Sequence, residues 1–182
     1  MDGSIFVNMP RYDKIVADIL CWGGGAGMLR VLLICSGNTC RSPMAETLLA
    51  DKINQHGLAD RIKVLSAGLY VSGENSASAG ALAAMARRGL DLTSHRSRQL
   101  MPEYVQAADL VLTMTGAHKR MVVATVPEAA KKVYTIAEFA EADSDVLDPF
   151  GSSNEIYEKC ATDISELLDN AWGKITLLAG KN

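Results

Sequence analysis

The chain has 182 residues, 48% of them hydrophobic and 21% charged, which suits one globular domain with or without an appendage. Eighteen Lys and Arg against 21 Asp and Glu leave a net charge of −3, so nothing recommends nucleic acid or an anionic membrane as partner. No apolar run approaches the roughly 18–20 residues of a membrane span, and Cys21, Cys35, Cys40 and Cys160 have the spacing of neither a disulfide framework nor a zinc site.

Residues 1–27 read differently from the rest. Ile15, Val16, Ile19 and Leu20 can form a short apolar face, but they run into Cys21-Trp22-Gly23-Gly24-Gly25-Ala26-Gly27, where glycines end any helix or strand. The regular pattern begins at Met28, which is therefore the expected natural start, with residues 1–27 an appended arm and residues 28–182 the domain. Residues 31–35 are predicted as a buried strand, and residues 42–55 as a helix whose Met44, Leu48, Leu49 and Ile53 face inward. Pro43 sits in the first turn of that helix, where its missing N–H is harmless. A second strand is expected over 62–65 and an alanine-rich helix over 76–88, stopped by Gly89. A third strand over 110–114 leads into a helix over 117–124, and a fourth strand over 133–136 follows. The last helix starts near Asn154 and carries Ile156, Cys160, Ile164, Leu167, Leu168, Ala171, Ile175 and Leu178 at spacings of three and four. Such alternation predicts an α/β fold, a parallel sheet with helices on both faces.

Parallel sheets bind ligands beyond the carboxyl ends of their strands. The first strand-to-helix junction reads Cys35-Ser36-Gly37-Asn38-Thr39-Cys40-Arg41-Ser42-Pro43. A cysteine closing a buried strand and an arginine opening a helix, with five residues between them, suit phosphate chemistry. The linking loop can curl so that its N–H groups point inward as an anion nest, and the helix aims its unpaired N–H groups at the same spot. Arg41 can grip two phosphoryl oxygens where Lys cannot. Thiols placed beside such positive charge are acidified, which makes Cys35 the expected nucleophile. Ser42 is expected to donate to its sulfur. Gly37 and Asn38 are residue types that accept the left-handed backbone a tight nest requires.

These residues carry a resemblance. The run from Val31 through the Cys35–Arg41 loop to Glu46 resembles the signature of the low-molecular-weight protein phosphatases. It is joined by Ser66-Ala67-Gly68, by Asp109-Leu110-Val111-Leu112-Thr113-Met114 and by Asp148-Pro149-Phe150-Gly151. The resemblance spans residues 29 to about 174. It implies a four-stranded parallel sheet in the order 2-1-3-4, phosphorylated proteins as substrates, and a two-step hydrolysis through a phosphocysteine without metal or cofactor. Cys35, Arg41 and Asp148 are then the expected catalytic residues, Asp148 acting as acid and later as base. Asp143 and Asp145 lie in the same loop, but only Asp148 matches the family's Asp-Pro. Ser36, Gly37, Asn38, Thr39, Cys40, Ser42 and Phe150 are expected to bind the substrate. A reducing cytoplasm is the expected compartment and a monomer the favoured state.

Two other functions fit less well. Arsenate reductases share the fold and nucleophile but pass oxidation along further cysteines, and none lies between Cys40 and Cys160. Catalytically dead phosphoprotein-binding modules typically lose the nucleophile, the arginine or the acid, all retained here. Within the family, tyrosine-specific members commonly carry a bulky aliphatic residue where this chain has Thr39, whereas protein-arginine phosphatases carry threonine. Thr39 leaves room for a thin guanidinium stem, and Phe150 offers a face on which a guanidinium can stack. Phosphoarginine is therefore the expected substrate and phosphotyrosine the alternative. His95 and His118 are solitary and read as surface contacts, and Cys160 reads as core. Cys40 leaves two readings open: a disulfide partner protecting Cys35, or a position that only needs a small residue.

Overall fold

The computed structural model describes residues 27–180; the arm read over residues 1–27 lies outside them apart from Gly27. Strand β1 (Leu29–Cys35) is the hub. Its alternation sends Leu29, Val31, Leu33 and Cys35 into one core and Leu32 and Ile34 into the other. Burial on both faces explains why it reads as an unbroken apolar run. Strands β2 (Ile62–Gly68), β3 (Leu110–Thr113) and β4 (Val133–Thr135) pair in parallel in the order β2-β1-β3-β4. The register sets Cys35 opposite Gly68 and Ile34 opposite Thr113, so the carboxyl ends of the three longer strands finish together.

One face of the sheet is covered by α1 (Arg41–Gln55), α2 (Ala79–Ala86), α5 (Ile136–Phe139) and α6 (Asn154–Ala179). The other is covered by α3 (Pro102–Ala107), α4 (Gly116–Thr125) and a 3-10 turn over Pro127–Lys132. The expected architecture and strand order are therefore those observed.

Several boundaries differ from expectation for local reasons. Helix α2 starts at Ala79 rather than 76, because the Ser78 hydroxyl accepts the N–H of Ala81 and caps it. Strand β4 ends at Thr135, one residue early, since Thr135 and Glu138 form a reciprocal capping box that opens α5. The Thr-x-x-Glu spacing was a readable start signal for α5. Helix α3 opens with Pro102, the residue suited to a first helical position. In α6 the buried stripe contains Tyr157, Cys160, Ala161, Ile164, Leu168, Ala171 and Ile175, while Ile156 is 46% exposed. Tyr157 takes the inward position assigned to Ile156.

The Tyr157 ring packs directly against Gly80 of α2. A Cβ built on Gly80 would stand 2.3 Å from ring atom Cδ2 and 2.4 Å from Cε2, so only glycine permits this approach. In an exposed helix Gly→Ala stabilises by about 1 kcal/mol, whereas overpacking destabilises by about 1–3 kcal/mol. Gly80→Ala is expected to lower stability despite the better helix propensity, with a reduced midpoint in urea; a raised midpoint would show that the ring has room to move.

Candidate active site

The loop between β1 and α1 curls around the Cys35 sulfur. The N–H of Asn38 points to Cys35 Sγ at 3.3 Å, and Ser42 Oγ lies 3.0 Å from it. Asn38 Nδ2 donates to Ser42 Oγ at 2.9 Å, so the serine's own proton is free to donate to sulfur, as expected. Asn38 holds the left-handed backbone of the turn, with φ of 54°. Gly37, which was expected to share it, has an ordinary φ, so one left-handed residue closes the nest.

Asn38 is wholly buried, and every polar group of its side chain is engaged. Its Nδ2 also donates to Ser66 Oγ at 2.8 Å, and its Oδ1 accepts the N–H of Arg98 at 2.8 Å. Ser66 in turn donates to Glu46 Oε2 at 2.5 Å. Burial raises the Glu46 pKa, while Ser66 and the nearby Arg98 favour its charged form. The side chains of Asn38 and Ser42 thus stand behind the pocket as scaffold and not on its wall. Gly68 closes the arrangement from β2: a Cβ there would come within 2.8 Å of Asn38 N and Ser36 O. Those neighbours are backbone atoms and cannot rotate away. The Ser-Ala-Gly run is explained by this contact.

His95 corrects the surface reading. It is half-buried, and its Nε2 donates to the Asn38 carbonyl at 2.8 Å. Burial, then Arg98 and Arg96, press its pKa below the usual histidine range, while the bond to Asn38 opposes them. His118 is more deeply placed, only 7% exposed, with Nε2 2.9 Å from Ser36 Oγ.

Arg41 opens α1 and is 4% exposed. Nη1 donates to the Val146 carbonyl at 3.2 Å, and Nη2 donates both to Ser36 Oγ at 3.2 Å and to Asp148 Oδ2 at 2.5 Å. Its Nε is buried without a partner among the described residues, a donor left over for an anion. Of the three aspartates in the loop before α6, Asp145 binds the N–H of Gly116 at the start of α4, and Asp148 faces Arg41. The Asp148 Oδ1 accepts the N–H of Phe150 at 3.3 Å, which fixes the Asp-Pro-Phe turn.

A cavity of about 240 Å³ is lined by Cys35, Ser36, Gly37, Thr39, Cys40, Arg41, Asp148 and Phe150, together with Tyr70. Tyr70 was missed in the sequence. It is 66% exposed and follows the end of β2 by two residues; an aromatic just past a carboxyl strand end was the available signal. Phe150 is 73% exposed, so two aromatic rings flank the mouth. Cys40 turns its sulfur away to Ser78 Oγ at 3.2 Å and Tyr157 Oη at 3.3 Å. Burial, with Cys40 beside it, pushes the Tyr157 hydroxyl up to about 12. Cys35, Cys40 and Cys160 are free thiols. Burial pushes the Cys160 thiol up to about 12 as well, which suits its core position. No group of ligating side chains fit for a metal occurs among the described residues. Nor is any helix among them long and apolar enough to cross a membrane.

The chain can be set beside known proteins on this geometry. A protein-arginine phosphatase of Geobacillus stearothermophilus is 37% identical over 147 residues, which cover 80% of this chain and 95% of that one. The crystal structure of a low molecular weight protein tyrosine phosphatase from T. tengcongensis superposes with a TM-score of 0.77 at 40% identity, covering 80% of this chain and 99% of the other. The YwlE arginine phosphatase, solved as a cysteine-to-serine mutant with the active-site serine phosphorylated, gives a TM-score of 0.77 at 35% identity over 81% of this chain and 96% of its own. Residues 30–176 match the family model for low molecular weight phosphotyrosine protein phosphatases, and the chain belongs to that family.

Proposed function

We propose that the protein removes phosphate from phosphoarginine on proteins through a phosphocysteine intermediate. The observation that carries this reading is a single cavity lined by Cys35, by the Arg41–Asp148 pair, and by Thr39 and Phe150. The Cys35 thiolate attacks phosphorus while the bond from phosphorus to the guanidine nitrogen breaks, and Asp148 delivers a proton to that nitrogen. Water, deprotonated by Asp148, then attacks the phosphocysteine; the S–P bond breaks and releases inorganic phosphate and the thiolate. The Ser42 hydroxyl stabilises sulfur as it departs, and the inward N–H groups and Arg41 hold the equatorial oxygens in both steps. The chemistry requires reduced cysteines, which fits a cytoplasmic setting.

Thr39 favours phosphoarginine over phosphotyrosine. It puts a short polar side chain on the wall where an aliphatic branch would pack against a phenyl ring. Phe150 and Tyr70 can stack on a guanidinium, and Asp148 complements its charge. The second reading, phosphotyrosine hydrolysis, draws on the same two rings, since an aromatic pair at the mouth also accepts a phenyl group, and on the likeness to a tyrosine phosphatase structure.

Three outcomes test the proposal. Cys35→Ser should abolish turnover of para-nitrophenyl phosphate while circular dichroism and phosphate binding persist; residual turnover at the parental rate would remove Cys35 as nucleophile. Asp148→Asn should slow substrates with poor leaving groups by roughly 10²–10⁴-fold and those with good ones far less. Equal losses on both would take Asp148 out of the proton transfer. The parent should show higher kcat/KM on phosphoarginine than on phosphotyrosine peptides, and Thr39→Ile should narrow or reverse that preference by roughly 1–3 kcal/mol; a parent preferring phosphotyrosine would install the second reading.

A further inference from the structure

We infer that His118 is a positioning residue for phosphoryl binding, acting through Ser36 on Arg41; the inference rests on the phosphatase reading above. His118 sits in the first turn of α4, on the opposite face of the sheet from α1. Its backbone N–H is capped by Thr115 Oγ1 at 3.2 Å, and Gly116 beside it is held by Asp145. The imidazole is buried and has one hydrogen-bond partner among the described residues, Ser36 Oγ at 2.9 Å from Nε2. Nδ1 is buried and has none.

Hydrogen-bond accounting fixes the direction of this contact. A buried N–H without a partner is rarer and more costly than a buried lone pair without one. The neutral ring therefore carries its proton on Nε2 and donates to Ser36 Oγ, leaving the bare lone pair at Nδ1. A second proton, at Nδ1, would find no acceptor and would put an imidazolium near Arg41. Burial, then Arg41, hold the ring neutral, against weaker pulls from Asp148 and Asp145.

Ser36 Oγ thus accepts two hydrogen bonds, from His118 Nε2 and from Arg41 Nη2. Both acceptor positions of the hydroxyl are filled, and its own proton remains for an oxygen in the cavity that Ser36 lines. The hydroxyl also gives Arg41 Nη2 a second anchor besides Asp148. When a phosphoryl group displaces the Asp148 carboxylate from Nη2, the guanidinium keeps its orientation because Ser36 still holds it. Without His118, the Ser36 hydroxyl can rotate its proton toward Nη2 or away from the cavity, and the preset donor geometry is lost. The role belongs to oxyanion binding, which the ground state, the phosphoenzyme and the product share, so its loss falls on KM and phosphate inhibition more than on kcat.

The experiment measures the Ki of inorganic phosphate as a competitive inhibitor of para-nitrophenyl phosphate hydrolysis, with kcat and Tm, for the parent, His118→Leu, His118→Gln, Ser36→Ala and the Leu/Ala double variant. His118→Leu and Ser36→Ala should each weaken phosphate by roughly tenfold, the loss of one hydrogen bond to a charged group. The double variant should be no weaker than either single one. His118→Gln, whose amide N–H can take the place of Nε2–H, should restore Ki and KM. A parental Ki in Ser36→Ala or His118→Leu overturns the inference, as do losses that multiply in the double variant or a glutamine as poor as leucine. If His118→Leu fails to fold, Ser36→Ala and His118→Gln decide alone. A parent that neither turns over the substrate nor binds phosphate overturns the phosphatase reading and this inference with it; a parent active and phosphate-sensitive but indifferent to these changes overturns the inference only.

Discussion

Everything in the site hangs on the burial of one amide side chain. Asn38 turns the chain through a left-handed conformation and aims its own N–H at the Cys35 sulfur. With Nδ2 and Oδ1 it then ties the loop to α1 through Ser42, to β2 through Ser66 and to the Arg98 backbone, while His95 binds its carbonyl. A buried amide so fully satisfied is rigid, because any movement leaves donors or acceptors without partners in a dry interior. The loop therefore holds the Asn38 N–H on the Cys35 sulfur. Gly68 permits the close approach of β2 on which two of these bonds depend.

The scaffold also explains how an anion and a carboxylate share one guanidinium. Arg41 is held at three places by protein atoms, Val146 O, Ser36 Oγ and Asp148 Oδ2, and keeps a buried Nε in reserve. Of these partners only Asp148 is substantially exposed, its side chain being 47% exposed. In the proposed reaction a phosphoryl oxygen takes over Nη2, and Asp148, once it has taken a proton from solvent, serves the leaving nitrogen as acid. Such a part-exposed pair adds little to stability, which suits a contact that the proposed reaction would break.

The second core has a part in this chemistry that is easily overlooked. Helix α4 lies on the face of the sheet away from α1, yet it carries His118 to the back of Ser36. Cys35 is the last residue of β1 and Ser36 the first beyond it. At that point the strict alternation of the strand ends, and the chain is reachable from both faces. The nest is thus braced on one side by α1 and β2 and on the other by α4.

The strand–loop–helix junction, the parallel α/β fold and the placing of Cys35 and Arg41 at the two ends of one loop were legible in the sequence, because each depends on local order; Asp148 was singled out from Asp143 and Asp145 only by the family's Asp-Pro. Strand burial shows in an apolar run, an anion nest in a short loop between strand and helix, and a turn in Asp-Pro-Phe-Gly. The Ser78 cap and the Thr135–Glu138 capping box belong to the same class and were there to be read. Tertiary structure alone decided which polar residues face the cavity and which stand behind it. Asn38 and Ser42 sit within the motif and turn inward, whereas Tyr70, 35 residues from Cys35, lines the wall. The roles of His95 and His118 were equally hidden. A solitary histidine carries no periodicity, and its partners, Asn38 and Ser36, lie 57 and 82 residues away in sequence. Those pairings exist only because the crossovers of a parallel sheet bring the ends of its strands together, so they appear when the sheet is assembled and not before.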